Sequence, residues 1–287
     1  MMQILSRLTR RQKTGVGIGL LLLLSIGLAV YQSGVRKPVA NPTVIVRQAK
    51  TALPADPWDA AWKKVSAVTM PLAQVSTPTA PVRNVTVKAL TDGTQLAIRL
   101  EWPDPSKDVL TLRPQDFGDA AAMQLSDQIY NACMGQLDGM VHIWQWKADW
   151  QEGSRDMKTA FPNMLVDGFT GPDGQPLLTE DLYARPALVA GNARAAATKE
   201  QAVEHLVAGG AGTLTAAGPH SLVAKGGYEK DRWAVVFVRP LQGAPGDVTL
   251  AAGQPLQAAF AVWDGQLMQR DGMKYVTQWA VLQLEAK

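Results

Sequence analysis

Few side chains in this sequence suit chemistry, and their types exclude more than they assign. A single cysteine, Cys133, rules out an internal disulfide framework and a cysteine-ligated zinc site. No C-x-x-C-H occurs, so covalent c-type haem attachment is excluded. The three histidines, His142, His205 and His220, lack H-x-x-x-H spacing, and no histidine-rich metal site is predicted. There is no G-x-S-x-G, no H-E-x-x-H and no phosphate loop, and no aspartate pair has an acid–base spacing. No catalytic residue is assigned, and the chain does not read as an enzyme. What remains is softer: ten methionines, nine tryptophans, and Lys274 in "DGMKYVTQW", where a turn runs into an apolar strand. Lys274 reads as a charge guarding a strand edge or as an amine drawn into a pocket. The tryptophans read as core and interface burial. Pattern alone leaves both questions open.

These residues must be positioned by strands. In Gln95–Trp102, Leu96, Ile98, Leu100 and Trp102 share one face, which predicts a half-buried strand. Asn84–Leu90 precedes it across the turn "TDG", so the two predict a hairpin. Gly139–Trp150 aligns His142, Trp144, Trp146 and Ala148, and Arg232–Val238 aligns Trp233, Val235 and Phe237. Gln257–Trp263 and Tyr275–Leu284 complete the set. The expected fold is all-β, an immunoglobulin-like or jelly-roll-like sandwich. One short helix is predicted in "TKEQAVEHLVAGG", capped by Thr198 with Gln201 three residues on and stopped at Gly209. The stretch from Gln151 to Arg194 reads as long loops, which are commonly functional.

The chain has 287 residues, 47% apolar, with a net charge of +3 that lies partly at the N-terminus, so nucleic acid is not indicated. Residues 1–13 form a basic cytoplasmic N-terminus and 14–35 an uncharged run able to cross a bilayer as a helix of about 20 residues. A cleaved signal peptide is the rival reading of that run. Residues 36–57, rich in proline, alanine and basic side chains, read as a linker with an extended piece at Thr43–Val46, and 58–287 as the folded domain. The expectation is a single-pass cytoplasmic-membrane protein whose domain faces the periplasmic side.

Several segments together resemble one family. They are "DAAAMQLS", "MGQLDGMVHIWQWKADWQ", "GNARA", "VEHLVAGGAGTLT", "YEKDRWAVVFVRPL" and "FAVWDGQLMQRDGMKYVTQWAVLQLE", in order across the domain. The resemblance is to the haem-binding gamma subunits of ethylbenzene dehydrogenase, dimethylsulfide dehydrogenase and related molybdenum enzymes. It implies a β-sandwich holding one non-covalent haem b. It also implies one-electron relay between iron–sulfur and molybdenum-containing partner subunits and a membrane or soluble carrier. By similarity the axial ligands match Met134, in "CMGQ", and Lys274, in "GMKYV". The family often carries an acid where this chain has Gln136, and its complexed members are usually freed of a signal peptide, whereas this chain reads as anchored.

The implied chemistry sets conditions. A lysine binds iron only as the neutral amine, so its usual pKa near 10.4 must fall through desolvation and ligation, and Asp271 must turn outward. Methionine sulfur is a soft, neutral ligand that raises the reduction potential. Met123, Met140 and Met273 are rivals for that role, and a methionine–His142 pair is the rival ligand set. Arg194 and Arg270 are candidate propionate partners. Two readings of other classes remain. One is a carbohydrate-binding module with Trp144 and Trp146 as exposed sugar platforms and no haem. The other is a haem sensor or trafficking domain.

Overall fold

The computed structural model describes residues 41–77, 83–130, 134–136, 139–152, 161–163, 199–218 and 221–285. The run at 14–35 read as a membrane span, most of the stretch from Gln151 to Arg194 read as loops, and Cys133, Arg194 and His220 lie outside the described residues. Among the described residues no helix is long and apolar enough to cross a membrane.

Two β-layers enclose the core. The first, here the pocket sheet, orders β8 (Thr215–Ala216), β7 (Val203–Ala208), β6 (Val141–Lys147), β5 (Ala120–Ser126) and β11 (Leu256–Trp263), with β12 (Tyr275–Val276) and β13 (Ala280–Leu284) beside β11. The second, the back sheet, orders β2 (Val68–Gln74), β3 (Arg83–Thr91), β4 (Gln95–Pro103), β10 (Arg232–Pro240) and β9 (Val223–Tyr228). The layers join where β12 pairs β2 and where β1 (Thr43–Gln48) runs parallel to both β13 and β3. The all-β expectation holds.

Period-2 alternation places the side chains as expected. Leu96, Ile98, Leu100 and Trp102 of β4 and Trp233, Val235 and Phe237 of β10 meet Ala121, Met123, Leu125, Trp144, Trp146 and Phe260 of the pocket sheet in one buried core. The predicted hairpin is β3–β4, with Thr86 opposite Glu101 and Thr91 opposite Leu96.

Three expectations need correction. The segment read as a capped helix is strand β7, paired antiparallel to β6 with Val203 opposite Trp146 and Ala208 opposite Val141. Its Val203, Leu206 and Val207 fit a helical stripe, but a partner strand supplies the hydrogen bonds that decide the matter. The described helical pieces are a 3-10 turn at Ala60–Lys64 and α1, Ala148–Gln151, which ends the strand read as continuous to Trp150. The stretch read as a linker to residue 57 already contains β1, and the compact unit begins at Asn41.

Candidate functional site

A pocket of ≈ 830 Å³ opens on the face of the pocket sheet that points away from the core. Its floor follows from alternation. Where Ala121, Met123 and Leu125 turn inward, Ala120 turns outward to the pocket, joined by Ile143, Gln145 and Lys147 of β6, Leu206 of β7 and Trp263 of β11. The floor is apolar at Ala120, Ile143 and Leu206 and polar at Gln145 and Lys147, while Ala122, Ala259 and Ala261 are buried in the adjoining cluster with Trp279. Its walls come from Thr111–Ala120, Met134, Ala211–Gly212, Leu214 and the turn Gln269–Lys274, with Trp150, Trp263 and Phe117 as aromatic edges.

Met134 and Lys274 both line this pocket. Met134 precedes β6, and its carbonyl accepts from the Gly210 amide at 2.8 Å, beyond the end of the sheet where Val141 faces Ala208. Lys274 precedes β12, whose Tyr275 faces Val262, at the opposite end, where Trp263 faces Ala120. The two side chains therefore enter from opposite ends of the floor. Met134 has φ 86°, a left-handed conformation that costs a non-glycine residue on the order of 1–3 kcal/mol and that tends to mark functional sites. Gly135 follows with φ 77°, and a Cβ there would lie 2.8 Å from the Gly139 carbonyl, so glycine is required to hold the turn. The Lys274 amine stands 5.3 Å from the centre of the Trp263 ring. Asp271, at φ 53°, is exposed, offers its carbonyl to the Trp263 indole at 3.2 Å, and also borders the pocket.

The rival residues are placed elsewhere. Met123 is fully buried on the inner face, and Met140 and Met273 are exposed and off the pocket lining. Among the described residues Met134 is the methionine that borders the pocket. His142 lies on the inner face of β6, stacked near Trp144, so a methionine–His142 pair across this pocket is excluded. His205, expected to be solvated, is 8% exposed. Trp144 and Trp146 are 1% and 0% exposed, so neither is a sugar platform and neither walls the pocket. Arg270 does reach the rim, its guanidinium over Phe117 at 4.8 Å.

Residue-level reading of the sequence missed Asp119, which forms part of the pocket wall at the head of β5. It accepts from the Gly265 and Asp108 amides and the Trp233 indole, at 2.9, 2.7 and 2.8 Å. Burial outweighs these donors and pushes its carboxyl up to about 7, with the Asp104 charge adding to the rise. Asp104 is pushed up to about 6 by burial and by the nearby Asp264, which Arg83 holds at 2.6 Å. Ala120 was also missed, although "DAAAMQLS" alternates small and large.

The chain is 26% identical over 243 residues to the dimethylsulfide dehydrogenase subunit gamma of Rhodovulum sulfidophilum, covering 78% of this chain and 72% of that one. It is 26% identical over 236 residues to the chlorate reductase subunit gamma of Ideonella dechloratans, covering 78% and 77%. A Haloferax mediterranei protein provisionally named a respiratory nitrate reductase heme subunit is 25% identical over 284 residues, covering 96% and 84%. A solved carbohydrate binding module family 9 from Caldicellulosiruptor kristjanssonii overlaps at a TM-score of 0.43 and 11% identity, covering 85% of this chain and 96% of that one, a likeness too weak to carry an argument. The model of the ethylbenzene dehydrogenase family matches residues 59–275, and the chain belongs to that family.

Proposed function

We propose that this pocket holds one non-covalent haem b between Met134 and Lys274, and that the chain relays single electrons as a haem subunit beside iron–sulfur and molybdenum-containing subunits. The observation that carries this reading is the placing of two residues, distant in sequence, on the lining of one pocket. The gamma-subunit and heme-subunit names of its relatives support it. The pocket fits such a group. Its volume lies within the ordinary range for bound ligands, Ala120, Ile143, Leu206, Trp150 and Trp263 give it apolar walls, and its rim carries Arg270 as a partner for carboxylates, Arg113 being held by Asp116. When bound, the group supplies reversible one-electron chemistry. The protein's part would be to offer a thioether from Met134 and a neutral amine from Lys274 and to exclude water with Trp263 and Trp150. The chain is accordingly an electron-transfer subunit and not a catalyst. Residues 14–35 anchor it, with the domain on the periplasmic side and the cytoplasmic membrane beside it.

The test is spectroscopic. Residues 41–287, produced with haem supplied, should show a low-spin reduced-minus-oxidised spectrum and a b-type pyridine haemochrome. Met134→Ala and Lys274→Ala should each convert the iron to a high-spin or exchangeable form. A folded, colourless protein sinks the reading, and unchanged spectra in both variants reassign the ligands. Low-spin haem that exchanges readily into a scavenger would favour the sensor or trafficking reading.

A further inference from the structure

A second constellation lies on the opposite face of the pocket sheet. His142 of β6 and His205 of β7 point to the inner side at the far end of the strands, and Asp247 reaches them from the loop between β10 and β11. His142 Nδ1 is 3.2 Å from His205 Nε2 and 3.2 Å from Asp247 Oδ1, and all three donor atoms lie within 4.8 Å of one another. Tetrahedral bonds of about 2.0–2.1 Å separate neighbouring donor atoms by roughly 3.3 Å. We propose that His142, His205 and Asp247 bind a divalent transition-metal ion of the zinc class, a site separate from the haem pocket.

Hydrogen bonding alone accounts poorly for the arrangement. A neutral His142 carries at most one proton on Nδ1, yet that atom faces two acceptors, or one donor and one carboxylate. A cation satisfies all three lone pairs at once. The neutral imidazole is the ligating form of both histidines. The supporting shell is in place. Trp144 stacks on His205 at 5.1 Å between ring centres and lies near His142 at 6.3 Å, fixing both rings. The Val248 amide donates to Asp247 Oδ1 at 2.6 Å, and Arg239 approaches Asp247 Oδ2 at 3.4 Å while lying over Trp144 at 4.7 Å.

Two imidazoles and one carboxylate select a borderline ion such as Zn²⁺ over Mg²⁺ or Ca²⁺. A cavity of ≈ 360 Å³, lined by the three residues with Ser221 and Gly243–Gly246, leaves room for a fourth ligand. Arg239 Nη1, buried and without a hydrogen-bond partner among the described residues, is placed to meet that ligand if it is an anion or water.

The test is Zn²⁺ titration of the full, untagged chain in detergent, with haem bound, by calorimetry and by metal analysis after gel filtration. One equivalent is expected, with a rise in melting temperature on Zn²⁺ addition. His205→Gln and Asp247→Asn should each weaken binding tenfold or more and remove the rise, with the haem spectrum unchanged. Co²⁺ in place of Zn²⁺ should give tetrahedral ligand-field bands in the wild type. No stoichiometric uptake by the wild type, or equal affinity in the variants, overturns the proposal. Should His205→Gln fail to fold, Asp247→Asn decides, because it keeps the size of the side chain and an acceptor for the Val248 amide.

Discussion

The pocket sheet has two faces built by the same strands, and they differ most in side-chain size, the outer one also carrying Gln145 and Lys147 toward the pocket. On the inner face β5, β6 and β11 place Met123, Leu125, Trp144, Trp146 and Phe260, packed against the back sheet. On the outer face the same strands place Ala120, Ala122, Ile143, Ala259 and Ala261. Close packing rewards large side chains where two layers meet. Small side chains on the outer face leave room above Ala120, which lines the pocket, while Ala122, Ala259 and Ala261 are buried in a cluster with Trp279. The inner face should therefore set folding stability and the outer face should set what binds.

The sharpest way to break this comparison is Trp146→Ala. The ring is fully buried, its indole donates to Gln151 Oε1 at 2.9 Å, and a Cβ on Gly226 would lie 2.2 Å from it, so a strand of the back sheet is shaped around it. The expected loss is about 3–5 kcal/mol, read as a fall in denaturation midpoint with the slope unchanged. A loss near 1 kcal/mol would mean that the inner face is not the keystone.

A smaller effect is expected at the head of β5, where the faces meet over buried carboxylates. Asp104 is fully buried, its Oδ2 has no hydrogen-bond partner among the described residues, and its carboxyl is pushed up to about 6. With the folded pKa above the unfolded one, the native state holds the proton longer. Stability is then complete near pH 4 and falls as the pH rises toward 6. Asp104→Asn keeps an acceptor for the Ser106 amide and turns the orphan oxygen into a donor. It should flatten the pH dependence and stabilise the protein by roughly 1–3 kcal/mol at pH 8. Destabilisation at pH 8 would mean that the ionised carboxylate is needed there.

Ala120→Leu tests the outer face directly. It should change stability by no more than about 1 kcal/mol, because the new methyl groups enter open volume rather than a packed core. Haem uptake should fall more than tenfold. A loss of stability comparable to Trp146→Ala would show that the outer face is packed like the inner one.

How much of this was legible follows the distance over which each feature is encoded. The faces of β4 and β10 were legible because alternation is local: Leu96, Ile98, Leu100 and Trp102 announce their own side. Strand β7 was misread because Val203, Leu206 and Val207 suit either period, and β6, some sixty residues away in sequence, decides. Lys274 carried no signal of its own. Only the resemblance of its surroundings drew it toward a pocket, and the register of β12 on β11 then put it there. The pair His142 and His205 was invisible for the same reason as β7, since their approach is diagonal across a pairing that the sequence did not reveal. Small outer alanines were visible in "DAAAMQLS" but could not be told from ordinary core filling.

The mildest change is at the rim. Arg270 is exposed, lies over Phe117 at 4.8 Å and donates to the Pro114 carbonyl at a long 3.4 Å. Exposed contacts of this kind contribute about 0.5–1 kcal/mol at most, so Arg270→Ala should leave the denaturation midpoint nearly unmoved. Its guanidinium nevertheless borders the pocket, where a carboxylate-bearing group would meet it. Haem affinity should fall several-fold, and Arg270→Lys should recover only part of that because a lysine lacks the planar fork. An equal and small effect on both folding and binding would place Arg270 with the solvated surface. A binding loss without a stability loss would extend the division of labour between the two faces out to the last side chain at the pocket edge.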